Sequence, residues 1–144
     1  MDRNRIISIM GIVNLTDDSY FADSRCTDVQ AALDRIARLV EEGADIIDIG
    51  ACSTRPGSFP VGAEEEWHRL EPVLKAFREN FQNVTLSIDT YWASVVLKAF
   101  ALVGPFIVND ISAGEADPEM LPTVGRLGLK YVAMHMRGTP ENMQ

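Results

Sequence analysis

Five short polar stretches could do chemistry, and each follows an apolar run: Asn14, Ser53-Thr54-Arg55, Asp89-Thr90, Asn109-Asp110 and His135. Arg55 supplies a planar fork of donors, and the hydroxyls of Ser53 and Thr54 add two more, a set suited to an anion. Pro56-Gly57 then fixes a turn. A loop arginine in isolation is more often simply solvated; its place directly after a strand favours the anion site. Asp89 can only accept hydrogen bonds when ionised, whereas Asn109 can both donate and accept. Each has a plainer alternative. Asp89 could cap a helix starting near Tyr91, a role Thr90 could take instead, and Asn109-Asp110 could be an ordinary turn. His135 stands between two methionines with no second ligand at metal spacing, so packing or a strand-end hydrogen bond is the better reading. Cys52 has no histidine partner and reads as a small packed residue. Glu64-Glu65-Glu66 reads as a helix N-terminus favoured by the helix dipole, not as an acid–base pair.

The elements that must position these residues alternate. Arg5 to Val13 is a nearly continuous apolar run, as expected for a strand covered on both faces. Asp28 to Glu42 keeps helical spacing, with Thr27 as a possible cap and Gly43 ending it. Asp45 to Ile49 is the second strand. Glu64 to Phe81 is the second helix, where Pro72 makes a kink or split possible. Val84 to Ile88, Trp92 to Phe100, Phe106 to Val108, Pro118 to Leu127 and Lys130 to Met134 continue strand, helix, strand, helix, strand. Pro118 suits a first helical turn, with Asp117 as its cap. This order predicts parallel strands with crossover helices. No Gly-x-Gly-x-x-Gly follows the first strand, which weakens a dinucleotide-binding sheet. Polar residues at successive strand ends fit the mouth of a (β/α)8 barrel.

The 144 residues are 47% hydrophobic and 24% charged, an ordinary globular composition for one domain or part of one. The net charge of −8 argues against a general nucleic-acid or membrane surface. No apolar run reaches membrane-helix length, and the first residues lack the apolar segment of a signal peptide. Two distant cysteines, Cys26 and Cys52, fit reduced thiols in the cytoplasm.

Six segments then become informative together: Met10–Thr16, Gly43–Gly50, Ser53–Gly57, Ser87–Thr90, Val108–Ile111 and Met134–Met136. In this order the sequence closely resembles the dihydropteroate synthases over nearly its whole length. The resemblance implies a (β/α)8 barrel that condenses 6-hydroxymethyl-7,8-dihydropterin pyrophosphate with para-aminobenzoate. The products would be 7,8-dihydropteroate and pyrophosphate, a step of folate synthesis. It implies that Asp89 and Asn109 hydrogen-bond the pterin ring while Ile111 and Met134 line its pocket. Asn14 would sit by the pyrophosphate and its Mg²⁺. Thr54, Arg55 and Pro56 would belong to a mobile loop that binds para-aminobenzoate and covers the leaving group. Arg55, Asp89 and Asn109 would thus carry the catalytic roles, in a homodimer of the intact protein.

Departures from the family pattern are also visible. Asp17 replaces a proline in Thr16–Tyr20, Tyr20 replaces the usual phenylalanine, and Cys52 stands where many members carry glutamate. The spacing to Asp23 exceeds the common pattern, so that residue receives no role. Five strands are expected where the barrel needs eight, and the family's later basic segments have no counterpart. Residues 1–144 therefore read as the N-terminal part of a single pterin-binding barrel, inactive alone, with exposed strand edges and apolar faces. Two other functions use the same residues. One is the pterin-binding domain of a corrinoid-dependent methyltransferase, which Ser53–Gly57 and Met10–Asn14 disfavour. The other is a non-catalytic remnant, to which Asp17 and the short length lend some weight.

Overall fold

A computed structural model of the chain describes residues 8–15, 25–51 and 62–133. Five strands and four helices alternate: β1 (Met10–Asn14), α1 (Arg25–Glu41), β2 (Ile46–Gly50), α2 (Ala63–Asn80), β3 (Thr85–Asp89), α3 (Ala93–Val103), β4 (Ile107–Asp110), α4 (Met120–Leu127) and β5 (Lys130–Ala133). The strands form one parallel sheet in the order β1-β2-β3-β4-β5. Sequential order with every neighbour parallel is the arrangement of a (β/α)8 barrel over five of its eight strands.

The two faces of the sheet differ in the way that a barrel requires. One face packs on the helices: Val13, Ile47, Ile49, Ile88 and Val108 are buried with Ile36, Leu70, Leu74 and Val96 in one apolar core. The alternate residues form the inner face. They run across the sheet in register, Ile12–Asp48–Ser87–Ile107–Lys130 and, one layer higher, Asn14–Gly50–Asp89–Asn109–Val132. On the inner face Asp48 and Ser87, at the centre, are buried, whereas the margins are open. Ile12 is 63% exposed on β1 and Val132 45% exposed on β5. These are the apolar faces and edges expected of an unclosed sheet.

Element boundaries correct several expectations. β1 begins at Met10 rather than Arg5; Ser8 and Ile9 lie outside it, and residues 1–7 are not among those described. α1 begins at Arg25, so Thr27 lies in the first turn instead of at the cap. A threonine followed by aspartate suits either position. Gly43 does end the helix, at φ +109°. α2 runs unbroken through Pro72. The donor that proline removes would have served His68, an exposed position where water can take its place. α4 starts at Met120, leaving Pro118 outside it. Asp117 has a different task from the expected cap of that helix alone. Its Oδ1 accepts from Glu119 N at 2.9 Å, and its Oδ2 accepts from Ala93 N at 2.8 Å, so one carboxylate ties the starts of α3 and α4 together.

Candidate functional site

The C-terminal ends of β2, β3 and β4 bring four polar side chains together. Asp48 lies on the inner face of β2, 3% exposed. Ser87 Oγ donates to its Oδ1 at 2.7 Å, and Asn109 Nδ2 reaches the same oxygen at 3.4 Å. Burial raises the Asp48 pKa, and the two hydrogen bonds oppose that rise. The contact also orients Asn109. With its amide nitrogen turned to Asp48, its Oδ1 faces the other way, buried, with no donor among the described residues.

Asp89 is the register neighbour of Asn109. Its carboxyl is pushed up to about 7 by burial first, then by the charges of Asp48 and Asp110; no hydrogen bond opposes the shift among the described residues. Asp89 and Asn109 therefore present two adjacent acceptors to the inner face. Partially buried acceptors without donors are costly unless a ligand supplies them. A ligand with several N–H groups along one edge would do so.

Space for Asp89 is created by Gly50, its register partner on β2. A Cβ on Gly50 would lie 3.0 Å from Asp89 Cβ, closer than real carbons approach without movement. The glycine thus serves close approach, not an unusual φ. Gly50→Ala is expected to lower unfolding stability by about 1–2 kcal/mol. The penalty should largely vanish when position 89 also carries glycine, as a double-mutant cycle by urea denaturation would report.

Behind Asp89, a third carboxyl enters from the helix layer. Glu66 is fully buried although it belongs to the first turn of α2. Its Oε2 accepts from Thr90 Oγ1, and Thr90 Oγ1 in turn accepts from Trp92 N at 3.2 Å. Thr90 thus holds the residue before α3 and does not cap the helix as expected, while Asp89 faces inward. Glu66 Oε1 has no partner among the described residues. Burial dominates in pushing the Glu66 carboxyl up to about 7; Asp89 adds to the rise, while Thr90 and Arg69 oppose it. The sequence reading of Glu64–Glu66 as a helix start holds for the element, and misses that Glu66 is buried against the end of β3. Glutamate in an acidic first turn gives no signal of depth; only its place at helical spacing from buried Leu70 hinted at it.

Asp110, also expected at a strand end, belongs to the helix face instead. Its carboxylate accepts from Ser112 N, Ser112 Oγ, Gly114 N and Tyr131 OH, at 2.7–2.9 Å, and so fixes the turn after β4. Ile111 is half-buried in that turn. Asn14 ends β1 opposite Gly50, on the same rim as Asp89. Thr54, Arg55, Pro56, Met134 and His135 lie outside the described residues. Arg69, on α2, donates to the carbonyl of Ala51, the residue after β2, at 3.3 Å. No group of three histidine, cysteine or acidic side chains able to hold a metal occurs among the described residues.

The chain matches a known class of proteins. Residues 10–144 match the family model described as "Pterin binding enzyme". The chain is 43% identical to the mitochondrial folate synthesis bifunctional protein of Pisum sativum, with all of this chain aligned and 28% of that protein. It is 42% identical to the dihydropteroate synthase of Haemophilus influenzae, over 94% of this chain and 48% of that one. Among solved structures, the dihydropteroate synthase of Xanthomonas albilineans with 4-aminobenzoic acid superposes with a TM-score of 0.80 at 42% identity, covering 91% of this chain and 47% of that one. The chain thus spans about half or less of the length of these relatives. The fold, the matched family model and the level of identity place the chain in the pterin-binding enzyme family, among its dihydropteroate synthases.

Proposed function

We propose that this chain supplies the pterin-binding half of a dihydropteroate synthase: it holds 6-hydroxymethyl-7,8-dihydropterin pyrophosphate for attack by para-aminobenzoate. One observation supports this above the others. Asp89 and the Oδ1 of Asn109 are neighbouring acceptors on the inner rim, neither of them given a donor among the described residues. The aminopyrimidinone edge of a pterin carries a matching row of N–H donors.

The same residues suit the reaction's charge. Departure of pyrophosphate leaves positive charge that the pterin ring delocalises, and an ionised Asp89 at the ring's donor edge would stabilise it. The weakly nucleophilic arylamine then attacks, so the protein's main contribution is orientation and electrostatics. Pyrophosphate itself needs cations in this acidic surround. Arg55 and Thr54, with Pro56 fixing the turn, are proposed for that side and for para-aminobenzoate, and Ile111 and Met134 for the ring faces. Mg²⁺ fits Asn14: one amide oxygen at the rim is a hard ligand, and Mg²⁺ takes most of its remaining ligands from phosphate oxygens and water. When bound, the ion neutralises the leaving group.

We place the chain as part of a single barrel domain of a homodimeric enzyme acting in the cytoplasm. Among the described residues no helix is long and apolar enough to cross a membrane. Titration calorimetry on the intact gene product tests the substrate. Pterin pyrophosphate with Mg²⁺ should bind and methyl-tetrahydrofolate should not. The reverse preference would favour the corrinoid-linked methyltransferase, and binding of neither would indicate a remnant.

A further inference from the structure

Glu66 has no part in the reading above, yet a fully buried carboxyl with one bare oxygen is costly to keep. It crosses from the helix layer to grip Thr90, the residue next to Asp89. We propose that Glu66 is a positioning residue for Asp89: it fixes the end of β3 through Thr90, and its charge, when ionised, makes Asp89 harder to ionise, so that Glu66 sets the pH at which Asp89 becomes the acceptor that pterin requires. The inference rests on the pterin reading of the rim.

The geometry carries the first half. Thr90 Oγ1 donates to Glu66 and accepts from Trp92 N. That chain locks the backbone between Asp89 and α3. A shift of Thr90 would move Asp89 with it.

The second half follows from the charges that surround the pair. Glu66 feels the charges of Asp89, the neighbour of its partner Thr90 on β3, and of Arg69 on its own helix. Asp89 faces Asp48 from β2 and Asp110 from β4. Repulsion between two carboxylates is mutual, so an ionised Glu66 makes Asp89 harder to ionise as surely as the reverse. Both carboxyls are pushed up to about 7. The bare Glu66 Oε1 makes its neutral form the cheaper one to bury. An ionised Asp89 is an acceptor on both oxygens, whereas a protonated one presents a donor to the pterin's own N–H groups.

The test is the pH dependence of pterin binding by the intact gene product between pH 5 and 7.5. The probe is 6-hydroxymethylpterin, read by its own fluorescence. Wild-type affinity should fall as pH drops and Asp89 takes up a proton. Glu66→Gln keeps the acceptor for Thr90 and removes the competing charge. It should bind at least as tightly as wild type, with the midpoint of the fall moved down by about half a pH unit or more. Thr90→Val deletes the same hydrogen bond from the other side and should weaken binding roughly fivefold or more across the range. A Glu66→Gln midpoint equal to wild type, or a Thr90→Val affinity equal to wild type, would overturn the inference. Absence of pterin binding by wild type at every pH would instead overturn the reading of the rim on which it rests.

Discussion

Asp89→Ala is expected to lower kcat/KM for dihydropteroate formation by the intact gene product at least a hundredfold, while leaving the fold as stable as wild type or more so. The loss follows from what the carboxylate accepts. Two hydrogen bonds to an ionised acceptor contribute roughly 1.5–3 kcal/mol each, and a hundredfold corresponds to about 2.8 kcal/mol. The stability claim follows from the sign of the shift. Burial, Asp48 and Asp110 push the Asp89 carboxyl up to about 7 from an ordinary 3.8. Between those values the unfolded chain has released its proton and the folded one has kept it, so wild-type stability falls as pH rises through that window. Alanine removes the titrating group and with it that fall. At pH 8 the variant should therefore resist urea at least as well as wild type. Asp89→Asn should lose nearly as much activity, because an amide turns one acceptor into a donor facing donors. Activity and stability lost in parallel would mean that Asp89 serves the fold.

The second large effect concerns the 144-residue chain expressed alone. It should form no dihydropteroate above background and should self-associate. Its sheet has two edges, β1 and β5, each with a row of backbone groups seeking a strand. Closure into a barrel removes such edges. The inner face beside them exposes Ile12 and Val132, which water would favour covering. Steady-state assays with both substrates and Mg²⁺, together with light scattering after size exclusion, report the two halves of this expectation. A monodisperse monomer that turns over would contradict both.

Much of this architecture was legible in the sequence, for physical reasons that differ by element. The strands are short runs of Ile, Leu and Val bounded by Gly, Asp and Asn, so β2, β3 and β4 were placed within about two residues at each end. Asp89 and Asn109 were found because each ends such a run, and in a parallel sheet equivalent strand ends meet at one rim. Asp89 faces inward as expected, but Thr90 is not the cap of α3: its Oγ1 accepts from Trp92 N, the residue before the helix, while Asp117 binds Ala93 N at the first helical position. Less was legible wherever tertiary contacts decide. Asp48 was recognised as a strand residue, but its bond to Ser87 depends on β2–β3 register. Gly50 fell one residue past the expected second strand, and only the pairing with Asp89 gives it a task. Glu66 was hidden by its two exposed neighbours, Glu64 and Glu65. Asp117 was expected to cap one helix and serves two, since α3 is brought to it by the sheet. The roles of Asn14, Thr54, Arg55, Pro56 and Met134 rest on the family resemblance.

Whether Asp89 and Asn109 receive the donor edge of a pterin is seen in a crystal structure of the intact gene product with 6-hydroxymethyl-7,8-dihydropterin pyrophosphate and Mg²⁺. The exocyclic amino group and a ring N–H should lie at hydrogen-bond distance from the Asp89 carboxylate and Asn109 Oδ1, with Asn109 Nδ2 still turned to Asp48. A pterin bound elsewhere, or at this rim with Asn109 Oδ1 still lacking a donor, would contradict that placement.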